Sequence, residues 1–363
     1  MANLLVTGGA GFIGANFVYH WLNAHPGDTI IVLDALTYAG NIRNLDGIID
    51  QPNCVFVKGD IGNLPLVENL LSVHYIDRIV HFAAEAQVDR SRDMPDTFLQ
   101  TNVIGTHTLL QAARKVWGTR DDVLFHHVST DEVFGSLGED DPAFTETSSY
   151  APTSPFAVSK AAADMMVRAC HQTYGLPVII THSSSSYGPY QHPQKLIPLI
   201  ITNALDGQLL PIYGDGMNSR DWLHVEDHCR GIALAMENGV VGESYALGGN
   251  SEWTNIDIVS RLCDLIDFAF ADNPHLADQF PRCPAAQGRE CAELITHIAD
   301  RAGNARRRAL DCTRATEELG YHPQETVESG IRKLLDWYLV NEAWWRPLKD
   351  TIQVGANKQR TAA

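Results

Sequence analysis

Leu4-Leu-Val-Thr-Gly-Gly-Ala-Gly-Phe-Ile-Gly14 opens the chain with an apolar run, a glycine turn and the start of an amphipathic stretch. That order predicts a strand, a tight turn and a helix. Gly8 permits the turn, Gly11 lets the backbone approach a diphosphate, and Gly14 lets the helix pack closely on the strand. The helix N-terminus at Phe12 and Ile13 is then an anion site. A glycine-rich turn alone says little. Here Asp34 closes the next apolar run, Ile30-Ile-Val-Leu33, about 20 residues after Gly14, where a carboxylate accepts hydrogen bonds from the ribose of a dinucleotide. The same carboxylate repels a ribose phosphate, so the pattern favours NAD over NADP.

Working outward, further short apolar runs follow at Val55-Phe-Val57, Ile79-Val-His-Phe82, Val123-Leu-Phe125 (continuing through His127-Val-Ser129) and Val178-Ile-Ile180. Helical patterns separate them, from about Phe12 to Asn23, Thr97 to Trp117 and Ser159 to Tyr174. Continuous apolar strands alternating with helices predict an α/β fold, a doubly wound parallel sheet of the Rossmann kind. Beyond about residue 190 the periodicity loosens and Pro, Gly and Tyr become frequent. We expect a dinucleotide-binding domain over 1–190, completed by strands and helices from later segments. A smaller C-terminal α/β substrate lobe is expected over 191–350, and a frayed tail over 351–363. The stretch from about Phe270 to Glu290 reads as a surface excursion. Gly59-Asp60-Ile61 ends the third strand, where Asp60 either meets the adenine or serves as a turn carboxylate.

The chain has 363 residues, 45% of them hydrophobic and 20% charged, and a formal net charge of −17. This is an ordinary globular composition, and the negative charge argues against nucleic acid or an anionic membrane as partner. Seven scattered cysteines without a C-x-x-C pair predict free thiols and a cytoplasmic setting. The N-terminus reads as a first strand, not a signal peptide, and no run is long enough to span a membrane. His81, His126, His127 and Gln87 lie near strand ends, but no pair has metal-ligand spacing on a helix, so no metal is expected.

Several segments carry a resemblance: Leu36-Thr-Tyr-Ala-Gly-Asn41, Ala83-Ala84-Glu85 with Val88-Asp-Arg-Ser91, and Ser129-Thr-Asp-Glu-Val-Phe-Gly135. Lys195-Leu-Ile-Pro198, Leu210-Pro-Ile-Tyr-Gly214, Arg220-Asp-Trp222 and Pro323-Gln-Glu-Thr326 extend it over nearly the whole chain. With these the sequence resembles the extended short-chain dehydrogenase/reductases and, among them, the dTDP-glucose 4,6-dehydratases. The resemblance implies NAD as cofactor, a nucleotide-diphosphate sugar (dTDP-glucose or a relative) as substrate, and a homodimer formed through the helices near 97–117 and 159–174. On the second of these helices Ala161, Ala162, Met165, Met166 and Val167 supply apolar surface. It also implies a closed redox loop. Sugar carbon 4 is oxidised, water leaves across carbons 5 and 6, and the hydride returns to carbon 6.

By the same resemblance, Thr130, Asp131, Glu132 and Lys160 are catalytic, with Asp131 the acid for the departing hydroxyl and Glu132 the base at carbon 5. Two adjacent carboxyls with opposite tasks need environments that push their pKa values apart. Leu36, Thr37, Ala83, Ala84 and Glu85 join the glycine turn, Asp34, Asp60 and Ile61 at the cofactor. Gln87, Ser185, Ser186, Lys195, Leu196, Pro211, Tyr213, Arg220, Asn255 and Arg301 are the implied substrate contacts.

Five departures from the family pattern cluster in the same site. Phe156 stands at the tyrosine of a Tyr-x-x-x-Lys pair, with Lys160 retained; a phenyl ring can neither give nor take a proton. Ala86-Gln87 replaces Ser-His, Ser185-Ser186 replaces two asparagines, Asn304-Ala305 replaces His-Asp, and Arg308 replaces a tyrosine. Tyr150 is then either a substitute proton carrier or a packed loop tyrosine, and Lys160 either acts in chemistry or only binds the nicotinamide ribose. Three functions remain open: a 4,6-dehydratase with an altered proton path or substrate, an epimerase or other dehydratase on a different nucleotide, and a catalytically silent NAD- and nucleotide-sugar-binding paralogue.

Overall fold

Successive side chains of a strand point to opposite faces, and in strand β1 (Asn3–Thr7) every residue from Leu4 onward is buried. A strand apolar on both faces needs a layer on each side. The computed structural model describes residues 1–301 and 303–361, with side chains as far as 351, and it supplies both layers. Strands β1, β2 (Thr29–Asp34), β3 (Cys54–Lys58), β4 (Arg78–His81), β5 (Leu124–Thr130) and β6 (Val178–Ser183) lie in one sheet. The chain then leaves it for β7 (Ser185–Tyr187), β8 (Leu210–Tyr213) and β9 (Ser219–His224), and returns with β10 (Ser244–Leu247). The sheet order is β10-β6-β5-β4-β1-β2-β3, parallel throughout.

Helices α1 (Phe12–Ala24), α2 (Leu64–Val73), α3 (Val88–Asp93), α4 (Pro95–Phe98), α5 (Thr106–Trp117), α6 (Pro155–Tyr174), α7 (Leu196–Leu205), α8 (Val225–Asn238) and α9 (Asn255–Asp272) follow in chain order. On one face, Phe17, Val18 and Trp21 of α1 and Ile232 of α8 close over Leu4, Val6, Ile30 and Val32. On the other, Leu70 of α2, Leu109 of α5 and Val167 of α6 close over Leu5, Ile31, Leu33 and Ile79. Strand β1 pairs with β2 on one side and β4 on the other. The winding therefore reverses between them and leaves a crevice at the strands' carboxyl ends.

Two helices differ from the expected ones. Instead of one helix from about Thr97 to Trp117, the chain forms α4, a π-helical turn at Leu99–Gly105 and then α5. Within that turn Asn102 is buried: its Oδ1 accepts from Glu85 N at 2.8 Å, and its Nδ2 donates to Glu85 O at 3.0 Å and Ser159 Oγ at 2.8 Å. The extra residue of a π turn is what such an inserted contact requires, and π turns concentrate at functional sites. Helix α6 begins at Pro155, four residues before the expected Ser159, because Ser154 caps it by accepting from Ala157 N at 3.1 Å and Pro155 suits the first turn. Phe156 and Lys160 thus share one face of its first turns.

In the lobe, β9 pairs antiparallel with β11 (Glu252–Thr254) and parallel with β7 and β13 (Arg307–Arg308). Strand β8 pairs with β12 (Ile295–Ile298). The lobe's own core joins Ile197, Ile200 and Ile201 of α7 to Ile258 and Leu262 of α9, and to Ile331 and Leu334 of the helix Val327–Val340. The stretch expected as a surface excursion is anchored, since Phe280 and Cys283 are buried in this core. The tail expected at 351–363 falls, beyond Thr351, on residues whose side chains lie outside the description, and its backbone is helical as far as Thr361. All seven cysteines are free and buried. Among the described residues no helix is long and apolar enough to cross a membrane, and no group of three His, Cys, Asp or Glu side chains is placed to hold a metal.

Candidate active site

The carboxyl ends of β1, β2, β4 and β5 open into one cleft of about 540 Å3, closed from the lobe side by α7, β8 and β9. At one end the chain turns at Gly8, whose φ of +71° suits glycine alone, and a Cβ on Gly14 would lie 2.3 Å from Gly8 O. Helix α1 opens there with no side-chain cap and no acidic residue in its first turn, so its N-terminal dipole is left for an anion. Asp34 accepts from Leu36 N at 2.8 Å through Oδ1 and from Ala10 N at 3.0 Å through Oδ2. Each carboxylate oxygen keeps capacity for a ribose hydroxyl. Gly40 makes room, because a Cβ there would stand 2.8 Å from Asp34 Oδ1. A glycine cradle, an uncapped helix and a carboxylate with spare acceptors fit a dinucleotide.

Gly8, Gly11, Phe12, Ile13, Gly14, Asp34, Thr37, Asp60, Ile61, Ala83, Ala84 and Glu85 all line the cleft, as do Thr130, Asp131, Glu132 and Lys160. So do Ser185, Ser186, Lys195, Leu196, Pro211, Tyr213, Arg220, Asn255 and Arg301. Three expected residues do not. The Leu36 side chain packs on the core beside α1, and only its backbone N–H serves the site, through Asp34. Gln87 does not line the cleft and its Oε1 is buried without a partner, while Ala86, whose carbonyl accepts from Lys195 Nζ at 3.1 Å, and Val88 take the lining.

Tyr150 is the third. Its hydroxyl donates to Asp164 Oδ2 at 2.9 Å and lies 2.9 Å from His182 Nε2, behind the cleft wall. Burial and the Asp164 charge push its phenol above the ordinary range, which makes it a poor proton acceptor.

At the catalytic end, Thr130 caps a short 3₁₀ turn, Asp131–Phe134, by accepting from Glu132 N at 3.3 Å. Asp131 is buried and Glu132 partly exposed, and Arg308 on β13 reaches both. Its Nη1 is 3.0 Å from Glu132 Oε1, and its Nε is 3.8 Å from Asp131 Oδ2. Burial raises the Asp131 carboxyl pKa, Arg308 opposes the rise and Glu132 adds to it. Lys160 Nζ donates to Val128 O at 2.8 Å and stands 3.4 Å from His127 Nε2.

Towards the lobe, Arg301 lies 3.9 Å over the Tyr213 ring and 3.0 Å from Asp89 Oδ2. Arg220 Nη2 donates to Asn304 Oδ1 at 3.0 Å, and Ser186 Oγ is 3.0 Å from His228 Nδ1. Tyr190, His192 and Trp222 line the cleft without having been named as site residues from the sequence. The frequent Pro, Gly and Tyr after residue 187 were the available signal, and Tyr190 has a positive φ of 66° that no sequence pattern announces.

A doubly wound sheet, a glycine turn with its second-strand aspartate, and a helix carrying Lys160 into the cleft together define an extended short-chain dehydrogenase/reductase. A family model described as GDP-mannose 4,6 dehydratase matches residues 5–334. The chain is 48% identical over 355 residues to a dTDP-glucose 4,6-dehydratase of Xanthomonas campestris pv. campestris, covering 96% of this chain and 97% of that one. Among solved structures it is similar to a dTDP-glucose 4,6-dehydratase from Bacillus anthracis in complex with NAD. That match has a TM-score of 0.83 and 44% identity, covering 96% of this chain and 100% of the other. A Streptomyces venezuelae dTDP-glucose 4,6-dehydratase with NAD and a second ligand bound matches at TM-score 0.83 and 45% identity, over 95% and 99% of the two chains. The chain belongs to this nucleotide-sugar 4,6-dehydratase family, and within it resembles the dTDP-glucose enzymes.

The position of Tyr150 has a direct test. Tyr150→Phe removes a buried donor to Asp164 and should cost about 1–3 kcal/mol in urea unfolding, with turnover within a few-fold of the parent. A variant of parental stability that had lost turnover would return Tyr150 to the chemistry.

Proposed function

We propose that the protein is an NAD-dependent nucleotide-sugar dehydratase acting on dTDP-glucose or a close relative. The observation that carries this reading is the pair Asp131 and Glu132, side by side at the carboxyl end of β5 and in different surroundings. The buried Asp131, whose carboxyl pKa burial raises, is the acid for the hydroxyl leaving carbon 6. Glu132, less buried and ion-paired with Arg308, is the base that takes the carbon-5 proton. The glycine turn, Asp34 and Lys160 would hold NAD, which when bound supplies the hydride acceptor and donor of the cycle. Lys195, Arg220 and Arg301 bring positive charge to the half of the cleft next to the lobe, where a diphosphate is matched in sign despite the protein's net −17.

The finer assembly reading is a homodimer. Of the α6 residues expected on its face, Ala161 and Val167 are buried in the protomer's own core, while Met165 stays exposed. Leu99, Ile104 and Val158 are exposed as well, and Leu99 and Val158 share a shallow apolar groove with Pro95, Pro152 and Pro155. Apolar side chains gathered in this way suit a second copy of the chain.

Three measurements test these assignments. With dTDP-glucose in deuterated solvent the parent should place label at carbon 5 of a 4-keto-6-deoxy product, and Glu132→Gln should suppress both label and product by about 10²-fold or more. Unchanged turnover in Glu132→Gln would sink the elimination mechanism. Calorimetry should show NAD bound well ahead of NADP, with Asp34→Ala narrowing the gap; equal affinities in the parent would remove Asp34 from the ribose. Light scattering should give twice the monomer mass, falling to the monomer in Val158→Glu/Met165→Glu, and a monomeric parent would end the dimer reading.

A further inference from the structure

Oxidation at carbon 4 needs a base for the hydroxyl proton, and Phe156 offers none. Its ring lines the cleft, packed edge-on against Phe98 with centroids 6.4 Å apart. One helical turn later Lys160 lines the same wall, its side chain buried to 5% exposure. Its amine has no phenol to meet. It holds the Val128 carbonyl and faces His127 Nε2, which in turn lies 3.1 Å from Asp164 Oδ1.

The charged and titratable groups around it come from every packed element. His127 stands on β5, and His81 on β4 with its ring 5.2 Å from that of His127. His182 on β6 and Tyr150 both reach Asp164, which lies on Lys160's own helix. The other carboxyls at this end, Asp131 and Glu132, are engaged with Arg308 and assigned to the elimination, and Tyr150 is behind the wall.

We propose that Lys160 itself is the base that takes the proton from the carbon-4 hydroxyl, in the place the missing phenol leaves. The inference rests on the dehydratase reading above. The lone pair of the neutral amine forms the new N–H bond. The O–H pair becomes the second bond of the ketone, and the carbon-4 hydrogen leaves with its electrons to the bound dinucleotide. The ammonium later returns its proton to solvent, Asp131 recovers from solvent the proton carried off in the water lost at carbon 6, and the hydride and the proton held by Glu132 return to carbons 6 and 5. The sum is the loss of one water. Burial pulls the amine down to about 8, with Asp164 partly opposing, so a useful share of it is neutral near pH 7 to 8.

The test is a cycle of four proteins: the parent, Lys160→Arg, Phe156→Tyr and the double variant. Arginine keeps a cation and a donor for the ribose but does not surrender its proton. With Phe156 in place, Lys160→Arg should lose about 10²–10⁴-fold in keto-sugar formation while NAD affinity by calorimetry stays within a few-fold. With Tyr at position 156 the same change should cost about tenfold or less, because the phenol resumes the task. Lys160→Ala should be rescued by primary alkylamines, more strongly as their basicity rises. NMR of the protein carrying ¹³Cε-lysine should show Lys160 titrating near pH 8, and parental turnover should rise with pH through that midpoint.

Equal losses from Lys160→Arg in both backgrounds, or a loss confined to NAD affinity, would reduce Lys160 to a binding residue and overturn the proposal. If the parent binds NAD and dTDP-glucose yet forms no keto-sugar, the dehydratase reading fails and takes this proposal with it. Turnover by the parent together with full turnover by Lys160→Arg removes only the lysine base.

Discussion

A single buried carboxylate holds the catalytic wall together. Asp164 on α6 is fully enclosed, and an isolated charge there would be prohibitively unfavourable. It is met by Ser129 Oγ at 2.9 Å and His127 at 3.1 Å from β5, His182 at 3.1 Å from β6, and the Tyr150 hydroxyl at 2.9 Å from the loop before α6. Burial alone would raise its pKa, and the hydrogen bonds from His127 and His182 hold it well below the usual carboxylate range instead. Four side chains from three segments are thereby fixed to one carboxylate on α6. The orientation of α6, and with it the reach of Lys160 into the cleft, follows from that fixation.

Around this anchor the departures from the family pattern form a connected set. Arg308 binds the Asp131–Glu132 pair, Asn304 accepts from Arg220, Ser186 meets His228, and Phe156 packs on Phe98. Most of these positions have a defined partner or a packed place, while Gln87 Oε1 and Arg308 Nε are buried without a hydrogen-bond partner. The retained carboxyl pair is the part of the cleft least compatible with a silent protein.

The sheet and the cofactor end were legible because their signals are local: a glycine turn, an aspartate at the end of the next strand, and continuous apolar runs. The sequence left placement open or missed it where a distant contact decides direction. Tyr150 is drawn inward by Asp164 and His182, 14 and 32 residues away. Gln87 is left out of the lining, beside an Ala86 carbonyl held by Lys195, 109 residues away. The π turn at Leu99–Gly105 escaped notice since an inserted residue leaves the apolar periodicity nearly intact while rotating Asn102 into the core. Tyr190, His192 and Trp222 enter the cleft from irregular chain or from a lobe strand, where no period marks a lining residue.

That π turn has a mechanical consequence. It presents Leu99 to solvent on its outer side, with Ile104 beside it, while its inner side clamps the Glu85 backbone to Ser159, the neighbour of Lys160. Inner and outer sides belong to one short stretch of backbone with almost no slack between them. Displacing the outer apolar side would strain the clamp and tilt the first turns of α6. In the homodimer proposed above, subunit association and the aim of the Lys160 amine would be two ends of one lever, so dilution to the monomer would lower turnover without disturbing a residue inside the cleft.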